Sequence, residues 1–308
     1  MKPITLCTLL SLLVLSCSGG GGGGADKIIG VALLTRAHVF YRDLEAGLRS
    51  EAAKQNYELI ITSAEFDLGK QIAQIEDFVA RKVDAIIVCP VDSRGIGPGI
   101  RKANDESIPV FTADIAATEG MVVSHIASDN VAGGRLAGEY LVKALNGRGK
   151  IAIINHPAVT SVLDRVRGFK EALASYPQLK IVADVNGGGV RDKALQAATD
   201  VLQAHRDLDA IFGINDDSAL GALDAVQQFR RSGLIIIGYD ATPPAADAIR
   251  RETALKADVV QYPTIIGTVT IKTIADYFSG RKVPATVPVE VGIVDKAALE
   301  QMAAKETQ

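Results

Sequence analysis

The chain has 308 residues, 48% of them hydrophobic and 22% charged, with a formal net charge of -3 and a pI near 5.9. That length holds two domains of about 100–200 residues each, and the composition is that of a globular protein with a real core. A slightly acidic balance without a Lys or Arg block excludes nucleic acid and anionic membrane surfaces as partners.

The chain opens MKPITLCTLLSLLVLSCSGGGGGG, with Lys2 ahead of an apolar run that ends at Cys17. Residues 1–16 read as a signal peptide, too short to span a bilayer with ordinary flanks. The stretch VLSC resembles a bacterial lipobox, which makes Cys17 the lipidated first residue of the mature protein, although Leu15 is not the commonest residue at its place. Ordinary cleavage nearby is the other reading. Residues 17–25 then form a Gly-rich tether with a reach of roughly 15–18 Å. The protein is therefore expected outside the cytoplasm, in the periplasm or on the outer cell surface, touching the membrane through its lipid alone. Cys7 lies in the signal and Cys17 at the anchor, which leaves Cys89 in the body. An intradomain disulfide or a cysteine metal site is excluded.

From Lys27 onward, short β-rich runs alternate with segments of helical period. The runs are KIIGVALL (27–34), ELIITSA (58–64), DAIIVCP (84–90), IPVFTAD (108–114), KIAIINH (150–156), KIVADVN (180–186), DAIFGIND (209–216) and LIIIGYD (234–240). Their continuous apolar character suits parallel strands covered on both faces. DLEAGLRSEAAKQN, QIAQIEDFVARK, RLAGEYLVKALNG and DKALQAATDVLQAHRD are helices between them. Strand followed by helix, repeated, gives a doubly wound α/β architecture. The chain returns through ALKADVVQ to Gln261, a helix from about Tyr262 to Gly280, and a last strand near VPVEVGIV.

An internal repeat adds a second half. DAIIVCPVDS from Asp84 matches DAIFGINDDS from Asp209, and the strand after each ends on an acid, Asp114 or Asp240. Ligands of open α/β sheets bind beyond the carboxyl ends of the strands. The residues there are Cys89, Asp114, His156, Asn186, Asn215 with Asp216, Asp240 and Gln261. Carboxylates, amides and an arginine suit sugar hydroxyls, each of which donates and accepts. Taken singly, Asp114 and Asp240 could be helix N-caps; their matched places in two halves favour ligand contact. Phe40 and Tyr41 could stack on a sugar face or staple the following helix. Arg165 could equally be an exposed helix residue. The four histidines, 38, 125, 156 and 205, lie on different elements and give no metal spacing. GIGPG at 95–99 lacks the strand–turn–helix context of a dinucleotide fingerprint.

From about Lys27 to Val294 the chain resembles the ribose-binding type of periplasmic solute-binding protein. VVSHIASDNVAGG (122–134), IPVFTAD, FGINDDSALGAL (212–223), IIGYDATP (236–243) and VVQYP (259–263) stand in that family's order. The same fold serves bacterial repressors, but a signal peptide with no helix-turn-helix ahead of Lys27 points away from that role. The resemblance implies two doubly wound parallel-sheet lobes joined by a three-stranded hinge. Residues 26–128 with 261–289 form the N-terminal lobe, and residues 129–260 with 290–308 the C-terminal lobe. It implies a monomer without cofactor or metal, closing on a sugar or polyol and delivering it to an ABC transporter permease. Presentation of the ligand to a chemoreceptor or sensor kinase is the alternative, and a glycosidase using Asp114 and Asp240 the remote one.

Carried over residue by residue, Phe40 and Tyr41 match the family's stacking aromatics and Asp114 its first-lobe acid. Arg165, Asn215 and Asp240 match its second-lobe contacts, and Gln261 its hinge-side amide. Five contact positions depart from the ribose-binding pattern. Leu34 replaces a serine, His38 and Cys89 replace asparagines, Ile115 an arginine, and Gly189 a stacking phenylalanine. Ribose itself is thus disfavoured as the ligand.

Overall fold

The computed structural model describes residues 25–306, so the signal peptide, Cys17 and most of the tether lie outside the described residues. In chain order come β1 (Lys27–Leu33), α1 (Val39–Lys54), β2 (Tyr57–Ser63), α2 (Leu68–Ala80), β3 (Ala85–Val88), α3 (Gly97–Asp105), β4 (Val110–Ala113) and β5 (Ser124–Ser128). After α4 (Asn130–Ala144) the pattern repeats as β6 (Arg148–Asn155), α5 (Thr160–Leu173), β7 (Gln178–Asn186), α6 (Arg191–Ala204), β8 (Ala210–Gly213), α7 (Asp216–Gln228), β9 (Ile235–Asp240), α8 (Pro243–Arg250) and β10 (Leu255–Val260). The chain closes with α9 (Pro263–Phe278), β11 (Thr286–Val289), β12 (Gly292–Asp295) and α10 (Lys296–Glu306).

Two six-stranded sheets result, ordered β2-β1-β3-β4-β5-β11 and β7-β6-β8-β9-β10-β12. The orders correspond strand for strand. All pairings are parallel except β12 on β10, which is antiparallel. The short strands β3, β4 and β8 are buried along their whole length, because helices cover both faces of a parallel sheet. The repeat seen in the sequence is also a repeat of hydrogen bonds. Asp84 accepts the Ile28 N–H at 2.8 Å, and its counterpart Asp209 accepts the Lys150 N–H at 2.7 Å. Each acid thereby ties the start of its strand to the neighbouring strand.

Two elements differ from the sequence reading. β5 is a strand although Ser124, His125 and Ser128 interrupt its apolar character. The single last strand expected at VPVEVGIV is two strands, and β11 and β12 belong to different sheets. The chain therefore changes sheet between Val289 and Gly292, as it does through α4 and α9.

Each of those two helices packs against a helix of the sheet it enters, α4 on α5 and α9 on α1. Both crossings depend on glycine. A Cβ on Gly134 would stand 1.9 Å from the Arg165 carbonyl oxygen, and one on Gly47 would stand 2.2 Å from that of Thr264. We expect Gly134→Ala to lower the unfolding free energy by about 1–3 kcal/mol through overpacking. Urea denaturation measures this, and an unchanged midpoint would rule out so close a helix approach.

Candidate ligand-binding cleft

The carboxyl ends of the strands in both sheets open onto one cavity. It contains about 460 Å³ of space free of protein atoms, the open solvent at its mouth included. From the first sheet come Leu34 and His38 after β1, Phe40 and Tyr41 at the start of α1, Phe66 after β2, and Asp114 with Ile115 after β4. From the second come His156 and Val159 after β6, Arg165 on α5, Gly189 after β7, Asn215 after β8 and Asp240 at the end of β9. Gln261, directly after β10, completes the wall.

Neither acid caps a helix. Asp114 takes a left-handed φ of 66°, and its N–H donates to the Ile126 carbonyl at 2.8 Å. That turn sends the side chain into the cavity. The Tyr41 hydroxyl donates to Asp114 Oδ2 at 2.7 Å, while Oδ1 is buried with no hydrogen-bond partner. Burial pushes the Asp114 carboxyl above its ordinary pKa, against the pull of the Arg165 guanidinium and the Tyr41 hydroxyl. Burial and the Asp114 charge raise the Tyr41 phenol well above its usual range, so it stays a donor.

Asp240 has a φ of 122° and accepts from Gln261 Nε2 at 2.6 Å. Burial and the nearby Asp216 charge raise its carboxyl well above the ordinary range, with Arg165 and Gln261 pulling it down. Arg165 is 4% exposed, which removes the reading of an exposed helix residue. Its Nε donates to Asn130 Oδ1 at 2.9 Å and its Nη1 to the Ile214 carbonyl at 2.7 Å. The guanidinium lies over the Tyr239 ring, 3.9 Å from its centroid. Asn215 caps α7, accepting from the Ser218 N–H at 2.9 Å, and donates to the Gly189 carbonyl at 2.9 Å. One amide hydrogen is left for the cavity.

Asn186 and Asp216, strand-end candidates in the sequence, do not line the cavity, and neither does Cys89. It is fully buried, and burial with the adjacent Asp114 charge raises its thiol pKa well above normal. Its backbone is held between the Ala32 carbonyl and the Gln71 amide, so the thiol lies behind the wall. Asn186 is exposed at the end of β7 and turns to the Gly188 N–H. His38, Ile115 and Gly189 do line the cavity. Sequence reasoning passed over Phe66, Val159, Ser161, Val162 and Ile214. Four of these are apolar and read as core; their one signal is a place within a few residues of a strand end.

The two sides also touch around the rim. Ser93 N–H donates to the Ala158 carbonyl at 3.1 Å, Thr160 N–H to Ser93 Oγ at 3.0 Å, and Ala116 N–H to Thr160 Oγ1 at 3.2 Å. His38 Nε2 lies 3.3 Å from Asp217 Oδ2. Burial lowers the His38 pKa, against the pull of the Asp217 charge. Among the described residues no group of three or more His, Cys, Asp or Glu side chains is placed to hold a metal ion.

Comparison with known proteins matches residues 29–282 to the family described as periplasmic binding protein domain. The ribose import binding protein of Escherichia coli is 34% identical over 292 residues, covering 94% of this chain and 98% of that one. An ABC transporter solute binding protein from Mycobacterium smegmatis with bound glycerol is 31% identical, with a TM-score of 0.84 over 89% of this chain and 96% of its own. One from Bacillus halodurans with bound myo-inositol is 28% identical, with a TM-score of 0.83 over 92% of this chain and all of its own.

Asp114 makes the ligand-free protein sensitive to pH. A carboxyl raised in the folded state contributes stability that is complete below its unfolded pKa and is lost as pH rises through the folded value. Asp114→Asn, which carries no charge to desolvate, should therefore be at least as stable as the parent at about pH 8. Its advantage should shrink as pH falls towards the unfolded carboxylate pKa of about 3.9. Thermal melts across pH measure the difference, and an advantage that grows on acidification would contradict the assignment.

Proposed function

The chain belongs to the periplasmic binding protein family, and we propose that it captures a monosaccharide or related polyhydroxy solute by closure of two lobes and delivers it to the permease of an ABC importer. It is of the ribose-binding type, and the family's members are binding proteins of transporters, not enzymes. Such proteins are exported. Lipidation at Cys17 would keep this one at the membrane on its tether.

The observation that carries the reading is one cavity to which each sheet contributes a strand-terminal carboxylate, Asp114 or Asp240. A hydroxyl donates to a carboxylate and accepts from an arginine or amide in the same site. Arg165, Asn215 and Gln261 stand beside the two acids for that purpose. Phe40 and Phe66 offer apolar surface for carbon faces. Leu34 and Ile115 make part of the first-lobe wall apolar, so pentoses other than ribose, deoxy sugars and polyols are better candidates than ribose. The lobes correspond to the two sheets, and a ligand that touches both favours their closure. The rim bonds of Ser93 and Thr160 belong to that closed state.

A thermal-shift screen of the full chain against pentoses, hexoses, deoxy sugars and polyols tests the ligand class. A true ligand at 100 times its Kd should stabilise by about 2.7 kcal/mol. Asp114→Ala and Asp240→Ala should each abolish the shift while the protein stays folded. A shift from some other metabolite class alone, or normal binding by both variants, would overturn the reading.

Closure has its own test. Ser93→Ala combined with Thr160→Val removes side-chain partners that join the lobes. At about 0.5–1.5 kcal/mol per hydrogen bond, affinity for the hit of the screen should fall roughly tenfold, chiefly through a faster off-rate. Stopped-flow dissociation measures it, and an unchanged off-rate would show that these bonds take no part in capture.

A further inference from the structure

Behind Asp240 the structure holds two more carboxyls that no ligand reaches. Asp216 opens α7 and Asp258 lies in β10, and they are 3% and 0% exposed. Each has one oxygen on the turn that follows β9. The Ala241 N–H donates to Asp258 Oδ1 at 3.1 Å, and the Thr242 N–H donates to Asp216 Oδ2 at 2.7 Å. This turn needs holding, because Asp240 and Ala241 both have positive φ, 122° and 55°, outside the regions that side chains favour.

The other two oxygens, Asp216 Oδ1 and Asp258 Oδ2, are buried with no donor. Both press on the same point of β9. A Cβ on Gly238 would lie 2.4 Å from Asp258 Oδ2 and 3.1 Å from Asp216 Oδ1. The absence of a side chain at Gly238 lets the two carboxyls meet within hydrogen-bonding reach. Two facing acceptors repel unless a proton lies between them. We propose that Asp216 and Asp258 share one proton across these oxygens, and that the resulting pair locks the turn that holds Asp240 in the cleft.

The surroundings favour that state. Beyond the pair itself, the charges that act on it, Asp217 beside Asp216 on α7 and Asp240 at the end of β9, are both negative. Arg165 on α5 acts on Asp240. Burial raises both carboxyls, which favours keeping one proton on the pair. Asp216 and Asp258 are positioning residues for Asp240. That Asp240 meets a solute rests on the proposed function; the proton and the turn are measured without any ligand, so the two ideas fail separately.

The test uses the full chain as parent, Asp216→Asn, Asp258→Asn and the double variant, all ligand-free. In either single variant an amide N–H replaces the shared proton while its oxygen still accepts from the turn. Hydrogen exchange at the Ala241 and Thr242 amides should stay as slow as in the parent. The parent's melting temperature should fall relative to Asp258→Asn as pH rises from about 5 to about 8, because a raised folded pKa costs stability on the alkaline side. In the double variant two amide donors face each other, and the same two amides should exchange about tenfold faster or more. A double variant as protected as the singles would show that the carboxyls merely repel, and a single variant with the parent's pH slope would show that no proton is shared. Either result overturns the proposal.

Discussion

Holding a carboxylate out of water at the end of a buried strand is the constraint around which this molecule is arranged. Removing such an ion from water costs several kcal/mol even after relaxation, and the cleft does so at Asp114 and at Asp240. The surrounding groups reduce that cost. Tyr41 donates to the first acid and Gln261 to the second, and the Arg165 charge acts on both. Arg165 can do this because Asn130, the Ile214 carbonyl and the Tyr239 ring fix it on the wall. The acids also repel one another across the cleft. With the lobes together and no solute between them, desolvation and repulsion remain uncompensated. On the proposed function, a solute whose hydroxyls donate to both acids offsets them, which would give closure a ligand-dependent driving force.

Duplication is what brings two such acids together. Parallel strands place their carboxyl ends on one edge of a sheet, and a second sheet of the same strand order presents a second edge. The remaining requirement is that the edges face one another. Three passages between the sheets meet it: α4 and α9 each pack on the sheet they enter, and the β11–β12 step swaps the edge strands. The close glycine contacts at Gly134 and Gly47 join those passages to α5 and α1. Both α5 and α1 carry cavity residues, Arg165 on one and Tyr41 on the other. Helix packing at these passages therefore helps set where the cavity's polar groups stand.

Much of this is legible in the sequence because parallel strands leave a strong signal. Runs such as AIIV in β3 or AIFG in β8 are apolar throughout, and the acid after β4 or at the end of β9 stands out against them. β5 is less legible, since SHIAS carries polar residues that satisfy local partners, as His125 does with the Thr112 hydroxyl. The split at VPVEVGIV is invisible because one apolar run serves two sheets. Arg165 gives no sign of its burial; the residues that anchor it, Asn130 and Ile214, are distant in the chain. The apolar wall residues Val159 and Val162 look like core, and chemically they are core that happens to border a cavity. Asp258 alternates with apolar neighbours as a surface strand residue would, and only the tertiary structure sets it against Asp216.

Three of the five departures from the ribose-binding pattern lie on the Asp114 side of the cleft. Leu34, Cys89 and Ile115 are buried around Asp114, and as apolar side chains or a neutral thiol they offer its carboxylate little. Tyr41 satisfies Oδ2, and Oδ1 is left buried without a partner. On the proposed function, a solute that brings a hydroxyl to it gains a charge-assisted bond, and one that lacks it leaves a buried charge unpaired at about 1–3 kcal/mol or more. Sites built on a required hydroxyl reject analogues lacking it more strongly than hydrophobic pockets reject an extra methylene. On the proposed function, the first lobe thus concentrates its selectivity on a single oxygen, so the position of one hydroxyl matters more than the number of hydroxyls the solute carries.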